Sequence, residues 1–205
     1  MRRCLLLAFA CLAGPSFAQV VASSTFDWEL EGWTGDTCQG GFSWQLDGGN
    51  PGGHLQWREP CGSLYARAPE AFTGNWTTLN GTGRLSFDYK VANRPANGDP
   101  LPYEVRLTSG FGDILVWRAQ SPGTTTDWVH FDVPIVESAW EPVVGSWSQA
   151  MSNVRFLDIR IRMFTNTDAS QVNKIDNVVL SVPEPSALVG LGVGGLFLIR
   201  RRRTV

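Results

Sequence analysis

The sequence is poor in the residues from which most catalytic sites are built. It contains two histidines and four cysteines, and it has no Gly-x-Ser-x-Gly segment to place a nucleophilic serine on a sharp turn. His54 and His130 lie on predicted strands without a serine or cysteine motif beside them, so no Ser–His–Asp arrangement can be identified. The carboxylates, among them Asp158, form no recognisable acid pair, and we expect most of them to be solvated. We therefore expect a protein that is not an enzyme.

The sequence also lacks, near its end, an apolar run long enough for a lasting membrane anchor. Residues 186–199 form an uncharged segment of 14 residues, which spans about 21 Å as an α-helix, against a hydrocarbon core of about 30 Å. Its glycines weaken a helix further. Arginines at 200, 201, 202 and 203 follow it and resist crossing to the outside. The pattern predicts cytoplasmic arginines and an exported preceding chain. A buried core helix and a plain tail anchor are the alternatives.

The residues just before this segment are Val182, Pro183, Glu184 and Pro185. With the short apolar helix and the stop formed by Arg200, Arg201, Arg202 and Arg203, residues 182–205 resemble the PEP-CTERM sorting signal of Gram-negative bacteria. The resemblance implies recognition by an exosortase, which is a membrane-embedded cysteine transpeptidase. It also implies an intermediate tethered in the inner membrane by a transient transmembrane sorting helix. The tail is then removed, and the protein reaches the cell surface or an extracellular polysaccharide matrix.

The other end of the chain also indicates export. Arg2 and Arg3 form a positively charged start, Cys4–Leu12 is apolar, and Ser16-Phe17-Ala18 is a small-x-small cleavage site. Residues 1–18 are thus a predicted signal peptide, cut by signal peptidase before Gln19. The alternative is a lipoprotein signal with Cys11 as the lipidated residue.

The segment between the two signals, residues 19–181, has the size of one ordinary domain. It holds 11 lysines and arginines against 18 aspartates and glutamates, so it is acidic although the whole chain is close to neutral. A net acidic domain rich in tryptophan is a poor candidate for binding nucleic acid or anionic lipid. Carbohydrate and divalent cations fit this composition better.

Cysteine usage also indicates export. Cys4 and Cys11 leave with the signal peptide, and Cys38 and Cys61 remain as a pair in an oxidising compartment. We predict a disulfide between them. It would close a glycine-rich loop and stabilise the fold by about 3 kcal/mol in the chain-entropy model.

The hydrophobic pattern of the domain is that of β-strands. Segments such as Arg84–Val91 and Val154–Phe164 alternate apolar and polar residues, and turn residues separate roughly nine or ten such segments. The one helical candidate is Ser146–Asn153, where Trp147, Ala150 and Met151 share a side. This predicts an all-β fold, an antiparallel two-sheet β-sandwich of the jelly-roll type with one short helix.

Several segments of the domain resemble a laminin B (laminin IV) domain. They are Phe26-Asp27 followed by Gly32-Trp33, the block from Leu64 to Asn75, Gly83–Asp88, Ser152–Arg162 and Ile175–Leu180. The opening and closing segments occur in many β-sandwich binding modules, and the middle ones are more specific. The resemblance implies a jelly roll related to galactose-binding and carbohydrate-binding modules, used for adhesion or in a matrix. It transfers no catalytic residue.

Two aspartates are candidates for a structural calcium site. Modules of this kind often hold an ion between the first and last strands, where Asp27 and Asp176 lie, and hard oxygen ligands suit Ca²⁺. The alternative is that Asp176 caps a turn. Apart from this ion, we expect no cofactor.

Three tryptophans lie in or near glycine-rich segments, namely Trp44, Trp57 and Trp76. If exposed, their rings are suited to stacking on a sugar. The alternative is that they fill the core.

These observations favour an exported, non-catalytic binding or adhesion module associated with exopolysaccharide or a biofilm. A structural matrix protein without a specific ligand is the alternative, and a polysaccharide-acting enzyme is disfavoured by the lack of an acid pair.

Overall fold

The computed structural model describes residues 18–35, 41–58, 65–120, 127–165 and 171–182. The chain divides into two units, one of which is Val20–Val182 and the other residues 1–19 and 183–205. Within the described part of the chain, no helix combines the length and the apolarity that crossing a membrane requires. The predicted signal peptide up to residue 17 and the predicted sorting helix lie outside the described residues.

The described residues of Val20–Val182 form a β-sandwich of two sheets, which confirms the predicted all-β jelly-roll class. In chain order the strands are β1 (Gln19–Ser24), β2 (Phe42–Gln45), β3 (His54–Arg58), β4 (Tyr65–Arg67), β5 (Arg84–Asn93), β6 (Tyr103–Ser109), β7 (Ile114–Ala119), β8 (Val129–Pro134), β9 (Glu141–Val144), β10 (Val154–Arg160) and β11 (Val172–Val182).

The strands are divided between the sheets by long crossovers. The first sheet has the order β2-β3-β11-β5-β8, with β1 also paired to β11, and the second has the order β4-β10-β6-β7-β9. Neighbouring strands of the second sheet are antiparallel throughout. The first and last strands of the domain therefore lie in one sheet, and the other sheet is built from the middle of the chain.

Alternation along each strand decides which side chains enter the core between the sheets. On β5, Leu85, Phe87 and Tyr89 are buried, and on β10 Leu157 and Ile159 are buried. Because successive side chains of a strand point to opposite faces, the residues between them form the outer faces. The two outer faces therefore carry most of the polar chemistry of the domain.

The predicted helix is confirmed. Helix α1 (Trp147–Ser152) begins after Ser146, whose Oγ accepts a hydrogen bond from the amide of Gln149, and it buries Trp147, Ala150 and Met151. This is the expected geometry for a serine N-cap. Two 3-10 helices, Glu70–Phe72 and Glu137–Ala139, complete the described helical structure.

Two differences from the predicted strands have local causes. Strand β1 ends at Ser24 instead of continuing to Leu30, since Phe26 takes a left-handed φ of 54° and an extended strand cannot continue through it. Strand β9 was not predicted; it is short, exposed and contains Pro142, which is tolerated because β9 is the edge strand of its sheet.

Candidate functional site

The outer face of the second sheet is a dense array of arginines and aromatic rings, which we call the arginine face. Its members alternate with core residues such as Ala66 on β4, Val105 on β6 and Leu157 on β10. The arginine face comprises Tyr65, Arg67, Glu104, Arg106, Arg118, Phe156, Asp158 and Arg160.

One half of the arginine face is centred on Asp158, whose side chain is 1% exposed. Strand register places Arg67 of β4 and Arg106 of β6 directly opposite Asp158. Arg67 donates from Nε and Nη2 to the two carboxylate oxygens, at 2.9 and 3.3 Å, and Arg106 donates from Nη2 at 3.0 Å. One buried carboxylate thus holds two guanidinium groups on neighbouring strands.

The other half repeats this arrangement around Glu104, whose side chain is 3% exposed. Arg118 Nε and Arg160 Nη2 both lie 2.8 Å from Glu104 Oε2, and the Tyr65 hydroxyl donates to Oε1. Burial alone would raise the pKa of the Glu104 carboxyl, but the hydrogen bonds from Tyr65 and Arg118 and the charge of Arg160 outweigh it and lower the pKa. Glu104 is therefore an anion at neutral pH.

The rings of the arginine face lie against guanidinium planes. The guanidinium carbon of Arg67 is 3.9 Å from the centre of the Phe156 ring, and that of Arg106 is 4.1 Å from the centre of the Tyr65 ring. A guanidinium plane over a ring is favourable electrostatically and removes side-chain freedom. The rings therefore hold these guanidinium groups by stacking, and the carboxylate holds the same groups through hydrogen bonds.

A cleft with a volume of about 730 Å³ adjoins the arginine face and shares Arg67 and Phe156 with it. Three glycines line it, so side chains do not narrow it there; a Cβ on Gly74 would meet nothing within 4 Å. Its lining residues are Gly32, Thr34, Arg67, Ala68, Glu70, Thr73, Gly74, Gly110, Asn153, Val154, Arg155 and Phe156. The cleft therefore presents hydroxyl, amide and charged groups beside apolar ones such as Val154 and the Phe156 ring.

Of the two predicted calcium ligands, Asp176 lies on β11 of the other sheet and Asp27 lies in the loop after β1, and both are next to the glycine-rich turn 48–53. Asp27 Oδ1 is 2.7 Å from the position of a Cβ on Gly52, and Asp176 Oδ2 is 2.7 Å from that of a Cβ on Gly49. Asp176 is fully buried. Both carboxylates therefore face one turn, and side chains at these two glycines would collide with them.

Asp176 caps backbone amides, as the alternative interpretation expects. Its oxygens accept from the amides of Asn50 and Asn177, at 2.5 and 2.7 Å. Burial raises the pKa of the Asp176 carboxyl to about 6; the two amides oppose this shift, and the charges of Asp88 and Asp27 add to it. For a buried carboxylate, acidic neighbours make the ionised form unfavourable.

Main-chain oxygens complete the surroundings of this turn. A Cβ on Gly53 would lie 2.1 Å from the Phe26 carbonyl oxygen and 3.1 Å from that of Gln45. Phe26 and Asn177, which adjoin the two aspartates, both have left-handed φ angles, and β11 changes register between Asp176 and Val179. Strained residues and bulges concentrate at functional sites. In the described part of the chain, however, no group of three or more His, Cys, Asp and Glu side chains is placed to hold a metal.

Of the two interpretations of the three tryptophans, the structure favours core packing for two and so corrects Trp57 and Trp76 as candidate sugar-binding residues. Trp57 is 0% and Trp76 is 2% exposed, so neither ring is open to a sugar. Trp57 alternates in phase with Leu55 and therefore points into the core. Trp44 is half-buried, and its Nε1 donates to the Phe26 carbonyl oxygen at 2.6 Å. The most exposed tryptophan is Trp28, at 84%.

Several predicted features lie outside the described residues. They are the Cys38–Cys61 disulfide, Pro183, Glu184 and Pro185 of the sorting motif, and Arg200, Arg201, Arg202 and Arg203. Val182 is described, as the last residue of β11.

The sequence analysis missed the arginine face because its partners are distant in the chain. The sequence predicts a solvated Asp158, yet this residue is buried between Arg67, which is 91 residues away, and Arg106, which is 52 residues away. The available signal was the outer side of β10, where Phe156, Asp158 and Arg160 alternate with core residues. A strand whose solvent-facing side is aromatic and charged in this way is a candidate binding face.

Comparison with known proteins concerns the two parts of the chain separately. Residues 181–203 match the PEP-CTERM protein-sorting motif, which implies export to the cell surface by way of an exosortase. No curated protein matches the chain.

Solved structures share the fold of the domain. The L4b domain of human laminin alpha-2 has a TM-score of 0.50 and 14% identity, covering 64% of this chain and 80% of that one. The CBM22-1 xylan-binding domain of Paenibacillus barcinonensis Xyn10C has a TM-score of 0.50 and 16% identity, covering 84% and 100%. An exo-beta-agarase has a TM-score of 0.51 and 12% identity, covering 84% of this chain and 25% of that one.

At such identities the likeness establishes the fold alone. It confirms the resemblance to laminin-type and galactose-binding-like jelly rolls. The chain thus carries a PEP-CTERM protein-sorting motif behind a β-sandwich of the kind found in laminin L4b and CBM22 domains.

Proposed function

We propose that this protein is an exported, non-catalytic module that binds polysaccharide at the cell surface or in the extracellular matrix. The arginine face and the adjoining cleft are the proposed binding site. The observation that carries the proposal is the pair of buried carboxylates, Asp158 and Glu104, each of which holds two arginines in place on an open sheet face.

Three features support this site for a sugar polymer. Its donors are held before binding, so little side-chain freedom is lost when a ligand arrives. It is an extended face with a side cleft, which suits a chain better than a small molecule. Flat rings and guanidiniums alternate with polar groups, and sugars present the same mixture of apolar faces and hydroxyls. The sorting motif would bring the site to the surface, where such polymers occur.

Calcium has a separate proposed role in the first sheet. Asp27, Asp176 and the carbonyl oxygens near turn 48–53 provide hard ligands of the type Ca²⁺ prefers. A bound cation would favour the ionised form of Asp176, whose pKa is raised to about 6 without one. We propose that the ion fixes the turn and takes no part in sugar binding.

Retention on polysaccharide tests the proposed site. Arg155 is suited to substitution because it is exposed, lines the cleft and has no ion pair among the described residues. Arg155→Gln should weaken retention of the exported protein on immobilised polysaccharide by roughly tenfold, as expected for one charge-assisted hydrogen bond. Arg84→Gln is the matched control, since Arg84 lies on the other sheet in a surface pair with Asp132.

Three outcomes would contradict the proposal. Failure to bind any polysaccharide, including the polymer from the producing cells, would favour a structural matrix protein. Equal losses in Arg155→Gln and Arg84→Gln would place binding elsewhere. Release of reducing sugar by the protein would show an enzyme.

Processing of the C-terminus is a second proposal with its own test. Exosortase action predicts a mature chain that lacks the arginines at positions 200–203. Mass spectrometry of the mature C-terminus, in cells with and without an exosortase, should find the shortened chain only in the former. Full-length protein in the inner membrane of normal cells would contradict it.

A further inference from the structure

We infer that the arginine face selects polysaccharides that carry carboxylate groups, as uronic acids do. This inference rests on the proposed function and specifies the substrate class of the same site. Its basis is the distribution of charge and of unused hydrogen-bond donors on the two sheets.

The arginine face is cationic in an acidic domain. Residues 19–181 contain 11 basic and 18 acidic side chains. The arginine face carries four arginines against two carboxylates, and Arg155 adds a fifth cation at its edge. Glu141, which accepts from Arg118 at the far edge, and Glu70, which lines the cleft, offset part of this charge. Nearly half of the cations of the domain are thus on one side of one sheet.

The excess charge is held in position. Each buried carboxylate neutralises one positive charge and binds two arginines, so each group of three is cationic. A guanidinium has five N–H donors, and the contacts to Asp158 use two donors of Arg67 and one of Arg106. The side chains of Arg67 and Arg106 remain 43% and 30% exposed. The internal pairs therefore orient the arginines without saturating them.

Arg155 is the cation least occupied by the protein itself. It lies where β10 changes register between Val154 and Phe156, so it is the extra residue of a bulge. A bulge redirects a side chain relative to the strand, and this one lines the cleft beside Arg67. Its guanidinium carbon lies 5.1 Å from the centre of the Phe156 ring. Arg155 and Arg67 thus place two positive charges at one cleft.

Carboxylate is the anion that this geometry favours. Arg67 already binds Asp158 through two parallel donors, at 2.9 and 3.3 Å. A planar guanidinium matches a planar carboxylate in this way. A neutral glycan would leave the excess charge unused, whereas a polyuronate offers a carboxylate on successive sugars, at intervals along an extended chain.

Binding to an acidic polymer, to its uncharged methyl ester and to a neutral polymer tests the inference directly. We would measure binding of the exported protein to polygalacturonate, to its methyl-esterified form and to neutral xylan. The free acid should bind roughly tenfold more tightly than the ester, since the ester loses the charge-assisted bonds. Binding to the acid should weaken between about 0.05 M and about 0.5 M salt, because exposed charges are screened.

Variants at Arg155 distinguish recognition of the polymer's charge from contacts that do not depend on charge. Arg155→Gln should reduce affinity for the free acid more than affinity for the ester, and Arg155→Lys should restore part of the loss on the acid. Arg84→Gln should change neither. Equal loss on both polymers would mean that Arg155 contributes contacts without charge selection, and would overturn the inference.

The outcomes distinguish this inference from the proposed function. Equal binding of acid, ester and xylan through the arginine face would overturn carboxylate selection and leave polysaccharide binding intact. Preference for a sulfated polymer over polygalacturonate would also overturn it. Binding to none of these polymers or to the native exopolysaccharide would overturn both.

Discussion

Two buried carboxylates, one in each sheet, differ in what surrounds them. Asp176 in the first sheet accepts from two backbone amides and has acidic neighbours, and its pKa is raised to about 6. Glu104 in the second sheet accepts from two arginines and a tyrosine, and its pKa is lowered. The first arrangement favours a cation that the protein would have to acquire. The second already contains its cations, and the side chains of Arg67 and Arg118 remain partly exposed.

Removing the carboxylate at the centre of the arginine face should have the largest effect. Asp158→Ala leaves Arg67 and Arg106 without their shared partner, and breaking a buried pair in this way costs about 3 kcal/mol. Urea unfolding measures the loss. Asp132→Ala is the control, because that carboxylate is 54% exposed in a surface pair, and we expect a loss below about 1 kcal/mol. Similar losses in the two variants would show that the buried network contributes little.

Calcium should act only through the first sheet. At about 100 times its dissociation constant, a ligand stabilises the native state by about 2.7 kcal/mol, so calcium should raise the Tm by several degrees and EDTA should reverse the change. Asp176→Asn should abolish the response, and Asp158→Asn should retain it. If EDTA leaves the Tm unchanged and added calcium does not raise it, the calcium site is absent.

Without calcium, Asp176 and Glu104 should contribute to the pH dependence of the free energy of unfolding with opposite signs. The pKa of Asp176 is raised, so its stabilisation is full below the unfolded pKa of 3.8 and is lost as pH rises through about 6. The change is on the order of 2 kcal/mol, and Asp176→Asn should remove it. Urea unfolding in EDTA between about pH 4 and about pH 7 measures this. A wild-type profile identical to that of Asp176→Asn would contradict the raised pKa.

Glu104 should show the opposite dependence. The pKa of Glu104 is lowered, so its stabilisation is present above the unfolded pKa of 4.5 and is lost as pH falls through the folded pKa. Below pH 4.5, the advantage of the wild type over Glu104→Gln should therefore shrink as the pH falls. An advantage that grows on acidification would contradict the assignment.

The Tyr65 hydroxyl should have the smallest effect. Tyr65→Phe keeps the ring under Arg106 and removes one hydrogen bond to Glu104, which should cost about 1 kcal/mol in urea unfolding. Tyr103→Phe is a useful comparison on the core side of the same sheet. A loss in Tyr65→Phe comparable to that in Asp158→Ala would mean that the hydroxyl, not the ion pairs, organises the arginine face.

Strand alternation was predictable where a single strand contains the signal. The sequence of β10 separates Leu157 and Ile159 from Phe156, Asp158 and Arg160, and the structure has the same two sides. The signal for the helix is equally local, since Ser146 and the buried Trp147 and Met151 lie within six residues. In such cases the period of a strand, 2 residues, or of a helix, 3.6 residues, is sufficient to predict which side chains face the core.

The candidate site depends on strand order, which no local pattern contains. Asp158 meets Arg67 and Arg106 only because β10 lies between β4 and β6. The same limit applies to Trp57: its glycine-rich surroundings left exposure and core packing open, whereas its position in β3 points it into the core.

Arginine side-chain NMR during a sugar titration tests the central claim most directly. As an oligogalacturonide is added, the Nε–H signals of Arg155 and Arg67 should shift in a saturable manner, because both side chains line the cleft and reach solvent. The Nε–H signal of Arg84, on the first sheet, should not move. Shifts confined to Arg84, or no saturable shift in the arginine face with this or any polysaccharide fragment, would contradict the account.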